Sequence, residues 1–522
     1  MSVQRLKTLD RASAEALLTF NRGIEREALR IDEGGLLARS GHPSALGSKL
    51  THPKITTDFS EAQLELITPV HQSATSALAD LDQIHRYLYT ILGDELLWAA
   101  SMPCLLPEDE NIPLAYYGHS NLGKLKTTYR SGLGYRYGRA MQTICAVHYN
   151  FSFGSGFWQW LKSVEQPNES DQQFVTRRYF DLTRNFRRWS WLLTYLFGAS
   201  PAVCESFLQG HEHGLQTFDE TTAYLPYATS LRSGNLGYQS DAQAEHMKVC
   251  YNSLDSYVSS LAAGICDQYP PYEKIGVLVE DAYRQINASI LQSEAEFYSS
   301  IRAKRVPGPG ENQLACLRRD GVQYLEVRLL DVNPYLPLGI DESEIDFLDT
   351  FLLYCLLNDS PTHDDLLCNE VRLNAMATVN QGRQPQLSLQ DNGTSRTLQE
   401  WGEAILAGMS PYADILDQTF NSTRYRESLG LQKQRLVNPD ATPSGQLIRE
   451  MENGQTPFLK FAMNQTLKHR ERFKATPLEA SEAAFFDELA RQSLVDQEKI
   501  ESSDTRTFDQ YLADTLAVYQ QL

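Results

Sequence analysis

Four short segments of the chain alternate acidic or metal-binding side chains with other residues, at the period of two that β-strands have. They are residues 23–31, 61–67, 143–152 and 322–330. If such strands assemble into one sheet, they form a face crowded with carboxylates. Two bare carboxylates about 4 Å apart repel by about 4 kcal/mol at an effective dielectric constant of about 20. We therefore expect a cation on that face, and a divalent metal with phosphate is the first candidate.

The first segment gives the sharpest signal. Glu25 and Glu27 point to the same side of a strand, and Leu29 and Ile31 share that side. A solvated edge strand is the alternative, but the apolar residues favour a partly buried face. Because buried paired glutamates need a cation, this segment slightly favours metal binding.

Other candidates leave alternatives open. Asp58 and Glu65 are seven residues apart, which is one face of a helix but opposite sides of a strand. From spacing alone, an ordinary turn acid and a solvated strand acid explain this pair better than a site does. His148 shares a polar strand side with Asn150 and Ser152, so a ligand role and a structural role are equally supported.

Glu326 and Arg328 also lie two apart in a strand-like segment. An internal ion pair is one interpretation. The other gives the carboxylate to a metal and the guanidinium to a phosphate.

One motif is rejected. GHSNLGK (118–124) has the spacing of a phosphate-binding P-loop, but Leu125 stands where Mg²⁺ needs serine or threonine. No hydrophobic strand precedes it either. If ATP binds, the sequence predicts binding through metals and a sheet rather than through a glycine-rich loop.

Bulk properties exclude several classes of protein. The chain has 522 residues and a net charge of -19, which argues against nucleic acid as a partner. Its eight cysteines are scattered and form no CxxC pair, which fits a reducing cytoplasm. The longest uncharged run is too short to span a bilayer, so we expect a cytoplasmic protein with no membrane segment.

Strand-like segments scattered between helices predict an α+β fold. The predicted helices are residues 73–97, 171–196, 242–264, 280–298 and 341–358. Residues 305–312 are predicted as a loop between a helix and the Glu326 strand. Strands are expected to stop beyond about residue 360, and residues 395–522 read as successive amphipathic helices, with turns at 438–445 and 453–457.

Eight motifs, in order along the chain, carry a family resemblance. They are RGIEREALR (22–30), HPKITTDFSEAQLELITP (52–69), SMPC (101–104), YGHSNLGKLKTTYRSGLGYRYGRAMQTICAVHYNFS (117–152), YLFGASPAVC (195–204), YLPYATSLRSGNLGY (224–238), YSSIRAKR (298–305) and YLEVRLLDVNP (324–334). Together they closely resemble the bacterial type of glutamate–cysteine ligase, or γ-glutamylcysteine synthetase. The similarity covers roughly the first 360 residues and continues more faintly beyond them.

The resemblance implies a fold and a reaction. The fold would be a curved, mainly antiparallel sheet of the glutamine synthetase and guanidino kinase type, with helices behind it. Residues 1–360 would form the catalytic core, and residues 361–522 a mainly helical region packed on it. ATP would phosphorylate the γ-carboxylate of L-glutamate, and the amino group of L-cysteine would attack the acyl phosphate. The product, γ-glutamylcysteine, belongs to the first step of glutathione biosynthesis.

The resemblance also implies site residues. The metal ligands would be Glu25, Glu27, Asp58, Glu65, His148 and Glu326, and the transferring phosphate would be held by Arg328 and Arg232. The cysteine pocket would be lined by Phe59, Tyr129, Tyr238 and Tyr298. The residues next to the substrates would be Arg130, His148 and Asn150. The metal would be Mg²⁺, with Mn²⁺ as an alternative, and ATP would be the co-substrate. Relatives of this type are often monomers, so a monomer is expected. The competing hypotheses are a ligase with another amine acceptor, a non-catalytic sensor on the same fold, and a structural acidic scaffold, which the buried-face pattern of the glutamates disfavours.

Overall fold

The computed structural model describes residues 4, 6–208, 213–237, 241–308 and 310–522. The described strands are β1 (Phe20–Ile31), β2 (Ile55–Thr57), β3 (Gln63–Ile67), β4 (Leu96–Leu97), β5 (Val147–Phe153), β6 (Ala202–Cys204), β7 (Gln216–Asp219), β8 (Thr222–Tyr224), β9 (Leu278–Val279), β10 (Ala282–Tyr283), β11 (Ile301–Lys304), β12 (Tyr324–Leu330), β13 (Ser388–Asp391) and β14 (Thr394–Thr397).

The described α-helices alternate with these strands and then continue to the C-terminal part of the chain. They are α1 (Arg11–Leu17), α2 (Ala74–Ile91), α3 (Asn121–Tyr137), α4 (Arg139–Gln142), α5 (Ser155–Glu165), α6 (Asp171–Phe197), α7 (Glu205–Leu208), α8 (Asp241–His246), α9 (Leu254–Cys266), α10 (Pro270–Glu273), α11 (Gln313–Asp320), α12 (Glu342–Leu357), α13 (Asp365–Gln381), α14 (Leu398–Phe420), α15 (Arg424–Val437), α16 (Pro443–Gly454), α17 (Phe458–Ala475), α18 (Ala480–Ser503) and α19 (Phe508–Tyr519). None of the helices in the described ranges is both long and apolar enough to cross a membrane.

Seven of the described strands form one sheet, in the order β11–β12–β5–β1–β3–β2, with β4 paired to β1. Every pairing in it is antiparallel. The predicted α+β class with a mainly antiparallel sheet is therefore confirmed. The four acid-bearing segments supply β1, β3, β5 and β12, which are consecutive neighbours in this sheet.

The two faces of the sheet differ in character. Ile24, Ala28, Tyr149 and Val327 are fully buried on one face and belong to the hydrophobic core. Helices α6 and α12 pack with that core through side chains such as Phe186. Since side chains alternate along each strand, this burial turns the acids toward the other face. We call that second face the acid face.

The predicted helix at 280–298 is wrong. Residues 278–283 form a tight hairpin, with Glu280 and Asp281 at positive φ in its turn. The following segment is held by buried side-chain amides rather than by helical hydrogen bonds. Gln285 donates to the carbonyls of Tyr272 and Gly276, for example. Such side-chain hydrogen bonds compete with a helix, and periodicity does not reveal them.

Strands also occur beyond residue 360, contrary to expectation. β13 and β14 form a hairpin around Asn392 and Gly393, both at positive φ. The Asn-Gly pair is a strong signal for a two-residue hairpin turn, so the sequence contained this information.

Three boundaries also differ from the sequence prediction. Helix α2 ends at Ile91, ahead of Gly93 at a φ of 61°, and Leu96–Leu97 is a strand. The helix expected at 242–264 is two helices, α8 and α9, and the second begins after Ser253, whose side chain caps it. The loop at 305–312 follows strand β11 and leads into α11.

The helical C-terminal segments agree with the sequence prediction. Helices α14 to α19 follow one another, with breaks at Asn438 and at Gln455, as the turns at 438–445 and 453–457 predict. The division of the chain into a 1–360 core and a 361–522 region stays a prediction.

Helix α18 docks on two loops of the N-terminal half. Gly47, at a φ of 77°, lies so close to it that a Cβ there would be 2.6 Å from the Ala490 carbonyl oxygen. The Ser48 main-chain N–H donates to Ser493 Oγ (2.9 Å), and the His119 N–H donates to Glu501 (2.9 Å). These contacts anchor both loops.

The rejected P-loop motif has a structural role at this docking site. Ser120 caps α3 by accepting from the Gly123 N–H (3.0 Å). The Asn121 N–H, at the start of the helix, donates to Asp504 just after α18 (2.5 Å). Helix α3 is therefore anchored at its first turn by the C-terminal helices.

Candidate active site

The acid face brings together side chains from three neighbouring strands. One ligand atom from each of Glu25, Glu65 and His148 lies within 4.8 Å of the others. His148 Nδ1 is 3.3 Å from Glu25 Oε2, because the two residues are direct partners in the β1–β5 pairing. Glu27 and Glu65 are direct partners in the β1–β3 pairing. The register of the sheet thus builds this cluster.

Glu27 and Glu326 complete the cluster from β1 and β12. Their carboxylate oxygens lie 3.8 Å and 4.0 Å from the two ring nitrogens of His148. Each of these glutamates is only 3% exposed. Glu326 pairs with Asn150 in the sheet, and the Asn150 amide donates to Glu25 (2.7 Å).

Asp58 reaches the cluster from outside any strand. It follows β2, and the short connection to β3 is closed by its own N–H, which donates to the Gln63 carbonyl (3.0 Å). This turn puts Asp58 close enough to raise the pKa of both Glu27 and Glu65. Spacing along a single strand puts Asp58 and Glu65 on opposite sides, but the chain reverses between them, so that rule does not apply to this pair.

The cluster is short of positive charge. Burial, and then the charge of Asp58, raise the pKa of Glu27 to about 8. Burial and three neighbouring carboxylates raise the pKa of Glu65 well above its usual range. Burial and the Arg328 charge lower the pKa of His148, which favours the neutral imidazole that metals bind. Crowded oxygens and a neutral imidazole are a donor set for a divalent cation.

Two buried polar atoms here have no hydrogen-bond partner among the described residues, although one of them, Glu326 Oε2, lies 3.7 Å from Lys304 Nζ. Asn150 Oδ1 and Glu326 Oε2 accept no hydrogen bond from any described residue. Buried acceptors nearly always accept a hydrogen bond, so acceptors without one beside a carboxylate cluster fit a site that takes a bound group. The donor chemistry therefore fits a metal.

Arginines lie at the β12 end of the acid face. Arg328 Nη1 is 2.9 Å from Glu326 Oε1, so the ion pair considered from the sequence is present. Lys304, Arg328 and Arg302 outweigh burial and hold the pKa of Glu326 below its usual range. The structure thus places cations around this end of the cluster.

Arg232 is fixed rigidly next to them. Its Nε donates to Asp331 (2.8 Å), and its Nη2 donates to the main-chain carbonyls of Arg328 (2.7 Å) and Leu330 (3.1 Å). Asp331 is itself held by Ser230 Oγ (2.9 Å). Arg232 is 4% exposed, and its charge, with that of Arg328, offsets part of the rise in the pKa of Glu27 that burial and Asp58 cause. A buried guanidinium is therefore presented toward the acids.

Two aromatic candidates come from different parts of the chain: Tyr129 from α3, and Tyr298 from the segment just before β11. Tyr129 and Arg130 lie on this helix, and Arg130 Nη2 is 3.8 Å from Asp58 Oδ1. Tyr298 accepts a hydrogen bond from Gln142 Nε2 (3.1 Å). Burial comes first among the causes that raise the pKa of Tyr129 and Tyr298, so both phenols stay neutral.

The other two aromatic candidates are Phe59 and Tyr238. Phe59 is 1% exposed, so its ring faces the protein interior in this structure. Tyr238 lies outside the described residues. The roles given to these residues, and to the other site candidates, stay predictions.

Comparison with known proteins identifies the family. A family model described as glutamate–cysteine ligase matches residues 6–378. The chain is 47% identical over 517 residues to the glutamate–cysteine ligase of Alcanivorax borkumensis, covering 98% of both chains. It is 46% identical over 513 residues to that of Pseudomonas fluorescens strain Pf0-1, covering 98% of this chain and 96% of the relative.

The chain belongs to the glutamate–cysteine ligase family. The resemblance drawn from the eight motifs is thus confirmed over nearly the whole chain.

Solved structures agree with this family and with the fold. A glutamate–cysteine ligase from Francisella tularensis, crystallised in complex with AMP, has a TM-score of 0.90 and 32% identity, covering 97% of this chain and 99% of that one. A bifunctional glutathione synthetase from Pasteurella multocida has a TM-score of 0.69 and 24% identity. It covers 92% of this chain and 56% of its own, and it supports the fold alone.

Sequence reasoning missed several cations in this ligase-family site. Arg302 and Lys304 lie on β11, where Arg302 pairs with Glu326. Their spacing of two in the IRAK segment was a signal that they share the face of Glu326. Lys126, one turn before Arg130 on α3, was also missed because the helix itself had not been predicted.

Proposed function

We propose that this protein joins the γ-carboxylate of L-glutamate to the amino group of L-cysteine, with ATP converted to ADP and phosphate. The product is γ-glutamylcysteine, and the reaction is the first step of glutathione biosynthesis. One observation carries the proposal: four glutamates and a neutral histidine share a sheet face, Asp58 adjoins them, and arginines lie at one end. Family membership supports the choice of substrates.

The acid face suits a divalent metal, and we assign it Mg²⁺. Glu25, Glu27, Asp58, Glu65, His148 and Glu326 would hold it. Hard carboxylate oxygens are the donors that Mg²⁺ prefers. Mn²⁺ would fit the same donors. When bound, the metal supplies positive charge that offsets repulsion between the triphosphate and the glutamate carboxylate.

The chain's own residues would then perform the phosphoryl transfer. The γ-carboxylate oxygen attacks the γ-phosphorus of ATP, and the bond to the β-phosphate oxygen breaks to give ADP and an acyl phosphate. Arg328 and Arg232 supply planar N–H donors to the transferring group. Both lie beside Glu326 or Glu27, at one end of the acid face. Preorganised donors of this kind stabilise charge that develops in the transition state.

In the second step the cysteine nitrogen attacks the acyl carbon, phosphate leaves with the electrons of the C–O bond, and the nitrogen loses a proton. Water would hydrolyse the acyl phosphate, so it must be excluded. Tyr129 and Tyr298 stay neutral and offer apolar rings with a polar tip. They are our candidates for the walls that hold cysteine.

The direct test is cysteine-dependent ADP release in the presence of ATP, glutamate and Mg²⁺, with the product identified by mass. Omitting cysteine should remove most of the ADP release. 2-Aminobutyrate, which has a methyl group in place of the thiol, should react with kcat/KM lowered by about 10–200-fold.

The outcomes separate the competing functions. A product mass formed only with another amine would indicate a different carboxylate–amine ligase. Nucleotide binding without ADP release would indicate a sensor. A complete lack of reaction with saturating 2-aminobutyrate would contradict the modest selectivity expected of a tyrosine-lined pocket.

Replacing Arg328 with lysine should lower kcat by about 100-fold, because a point charge cannot make the paired hydrogen bonds of a guanidinium. Single-turnover formation of ADP measures this step. Arg319→Lys is the matched control, since Arg319 is an exposed arginine on α11 that pairs with Asp320 and Glu311. A near-normal rate in Arg328→Lys would leave Arg328 with the ion pair to Glu326 as its role.

We further propose a cytoplasmic monomer. Free cysteines support a reducing compartment, and all eight are unpaired in this structure. Sedimentation at assay concentration would measure the oligomeric state.

A further inference from the structure

Lys126 is a half-buried cation beside the acid face that has no anionic partner. Among the described residues, no carboxylate oxygen lies within 4 Å of its ammonium nitrogen, whereas Lys49 nearby pairs with Glu61. Its ammonium group lies over the ring of Tyr117, whose centroid is 5.4 Å from Lys126 Nζ. A partly desolvated ammonium is costly unless it is paired, and an aromatic face offsets that cost only in part.

The groups around Lys126 add further positive charge rather than neutralising it. The guanidinium carbon of Arg130 lies 4.5 Å from the centroid of the same Tyr117 ring, and Lys49 Nζ lies 5.9 Å from it. Tyr117 is fixed between them, because its hydroxyl donates to the Thr57 carbonyl (2.6 Å). Burial and Arg130 lower the pKa of Lys126 to about 8. A lowered pKa of this kind is expected for a cation that has too little negative charge nearby.

The position of Lys126 indicates which anion is missing. Asp58 and Glu65 are its nearest acidic influences, at the β2–β3 end of the acid face. Arg328 lies at the other end, on β12, and would take the phosphates. The substrates of the proposed reaction carry further anions, the α-carboxylates of the two amino acids. Lys126, at the β2–β3 end, is a cation near the site that no carboxylate of the described residues pairs within 4 Å, so one of these α-carboxylates suits it.

We infer that Lys126 binds the α-carboxylate of an amino-acid substrate and helps to set selectivity for α-amino acids. The inference rests on the proposed function, because only that reaction supplies two such substrates. Lys126 lies one turn before Arg130 on α3, and Arg130 Nη1 donates to the Lys126 carbonyl (3.1 Å). The two cationic groups lie at the same Tyr117 ring, and together they would form one side of the carboxylate site.

The test compares Lys126→Met with wild type, using substrates and their decarboxylated analogues. 4-Aminobutyrate is glutamate without its α-carboxylate, and cysteamine is cysteine without it. We expect Lys126→Met to raise KM for one amino acid by about 10–100-fold, as loss of a charged hydrogen bond does. KM for ATP should not change. The inhibition constant of the matching analogue should be the same in both proteins, since the group that Lys126 binds is missing.

Lys124→Met is the matched control, because Lys124 is an exposed lysine on the same helix. It should leave all KM values unchanged, and Lys126→Arg should retain most of the affinity. The arm that responds, glutamate or cysteine, identifies the substrate.

Unchanged KM for both amino acids would overturn the inference, and so would a rise in KM for ATP or an equal loss of affinity for the analogue. If Lys126→Met does not fold, Lys126→Gln takes its place, and failure of both to fold would assign Lys126 a structural role instead. If the wild-type protein showed no cysteine-dependent ADP release, the proposed function itself would be wrong. That result is distinct from a failure of the inference about Lys126.

Discussion

Replacing Glu27 with glutamine should lower turnover by at least about 100-fold, while leaving the fold intact. Glu27 is 3% exposed at the centre of the acid face and lies 3.8 Å from His148. A neutral amide is a weaker metal ligand than a carboxylate, and even residues that only support metal ligands typically cost 10–100-fold when mutated. Steady-state kinetics over a range of Mg²⁺ concentrations measure the loss.

Glu27→Gln should lower turnover without lowering the stability of the metal-free protein. Burial and Asp58 raise the pKa of Glu27 to about 8, so its charge is unfavourable in the metal-free protein. Removing that charge should leave the metal-free melting temperature unchanged or higher. Mg²⁺ should stabilise the wild type, as a ligand of the folded state does, and stabilise the variant much less.

Glu33→Gln serves as the control, because Glu33 follows β1 and its side chain is 68% exposed. It should change neither activity nor the Mg²⁺ effect. Normal turnover in Glu27→Gln, or a full Mg²⁺ stabilisation, would remove Glu27 from the metal site.

Replacing Gly47 with alanine should destabilise the protein by about 2–5 kcal/mol. Gly47 has a φ of 77°, which alanine adopts only with strain. Its Cβ would also lie 2.7 Å from the Ala490 Cα and 2.6 Å from that residue's carbonyl oxygen. Because these are backbone atoms of α18, the helix must move away. Denaturant unfolding measures the change in the free energy of unfolding.

Activity should fall with stability in this variant. Helix α18 and the turn after it hold His119 and Asn121, at the start of the helix that carries Tyr129 and Arg130. Displacing α18 should therefore raise KM for the amino acids even where the protein remains folded.

Gly93→Ala is the control that separates the cost of backbone strain from the cost of displacing α18. Gly93 also has a positive φ, 61°, but a Cβ there would meet nothing within 4 Å. It should cost only the backbone strain, about 1 kcal/mol, with unchanged KM. Equal effects at the two glycines would mean that the contact with α18 does not matter.

The acid face shows what strand periodicity can predict. Glu25, Glu27, His148, Asn150 and Glu326 share one side because alternation fixes which way each side chain points. Local spacing carries that information, and apolar neighbours indicate which side is buried. The order of the strands is different, since it depends on which distant segments pair, and it entered the sequence analysis only through the family resemblance.

Features that depend on chain reversals were not predicted from spacing. Asp58 joins the site through a tight connection, and Lys126 and Arg130 join it through a helix whose start is capped by Ser120. Ser120, the capping residue, lies inside the GHSNLGK motif (118–124), whose spacing resembles a P-loop rather than the start of a helix. The docking of α18 joins residues more than 400 apart, such as Ser48 and Ser493, and no local pattern reports such contacts.

Anchoring of α3 by α18 has a consequence during synthesis. The strands of the acid face are complete once Leu330 has left the ribosome, but the segment that fixes α3 is made roughly 150 residues later, at 480–503. At typical translation rates of about 5–20 residues per second, that interval lasts on the order of ten seconds. A nascent chain would hold the strands of the acid face while the helix that carries Tyr129 and Arg130 still lacked its C-terminal anchor, so the site is completed only after translation has passed α18.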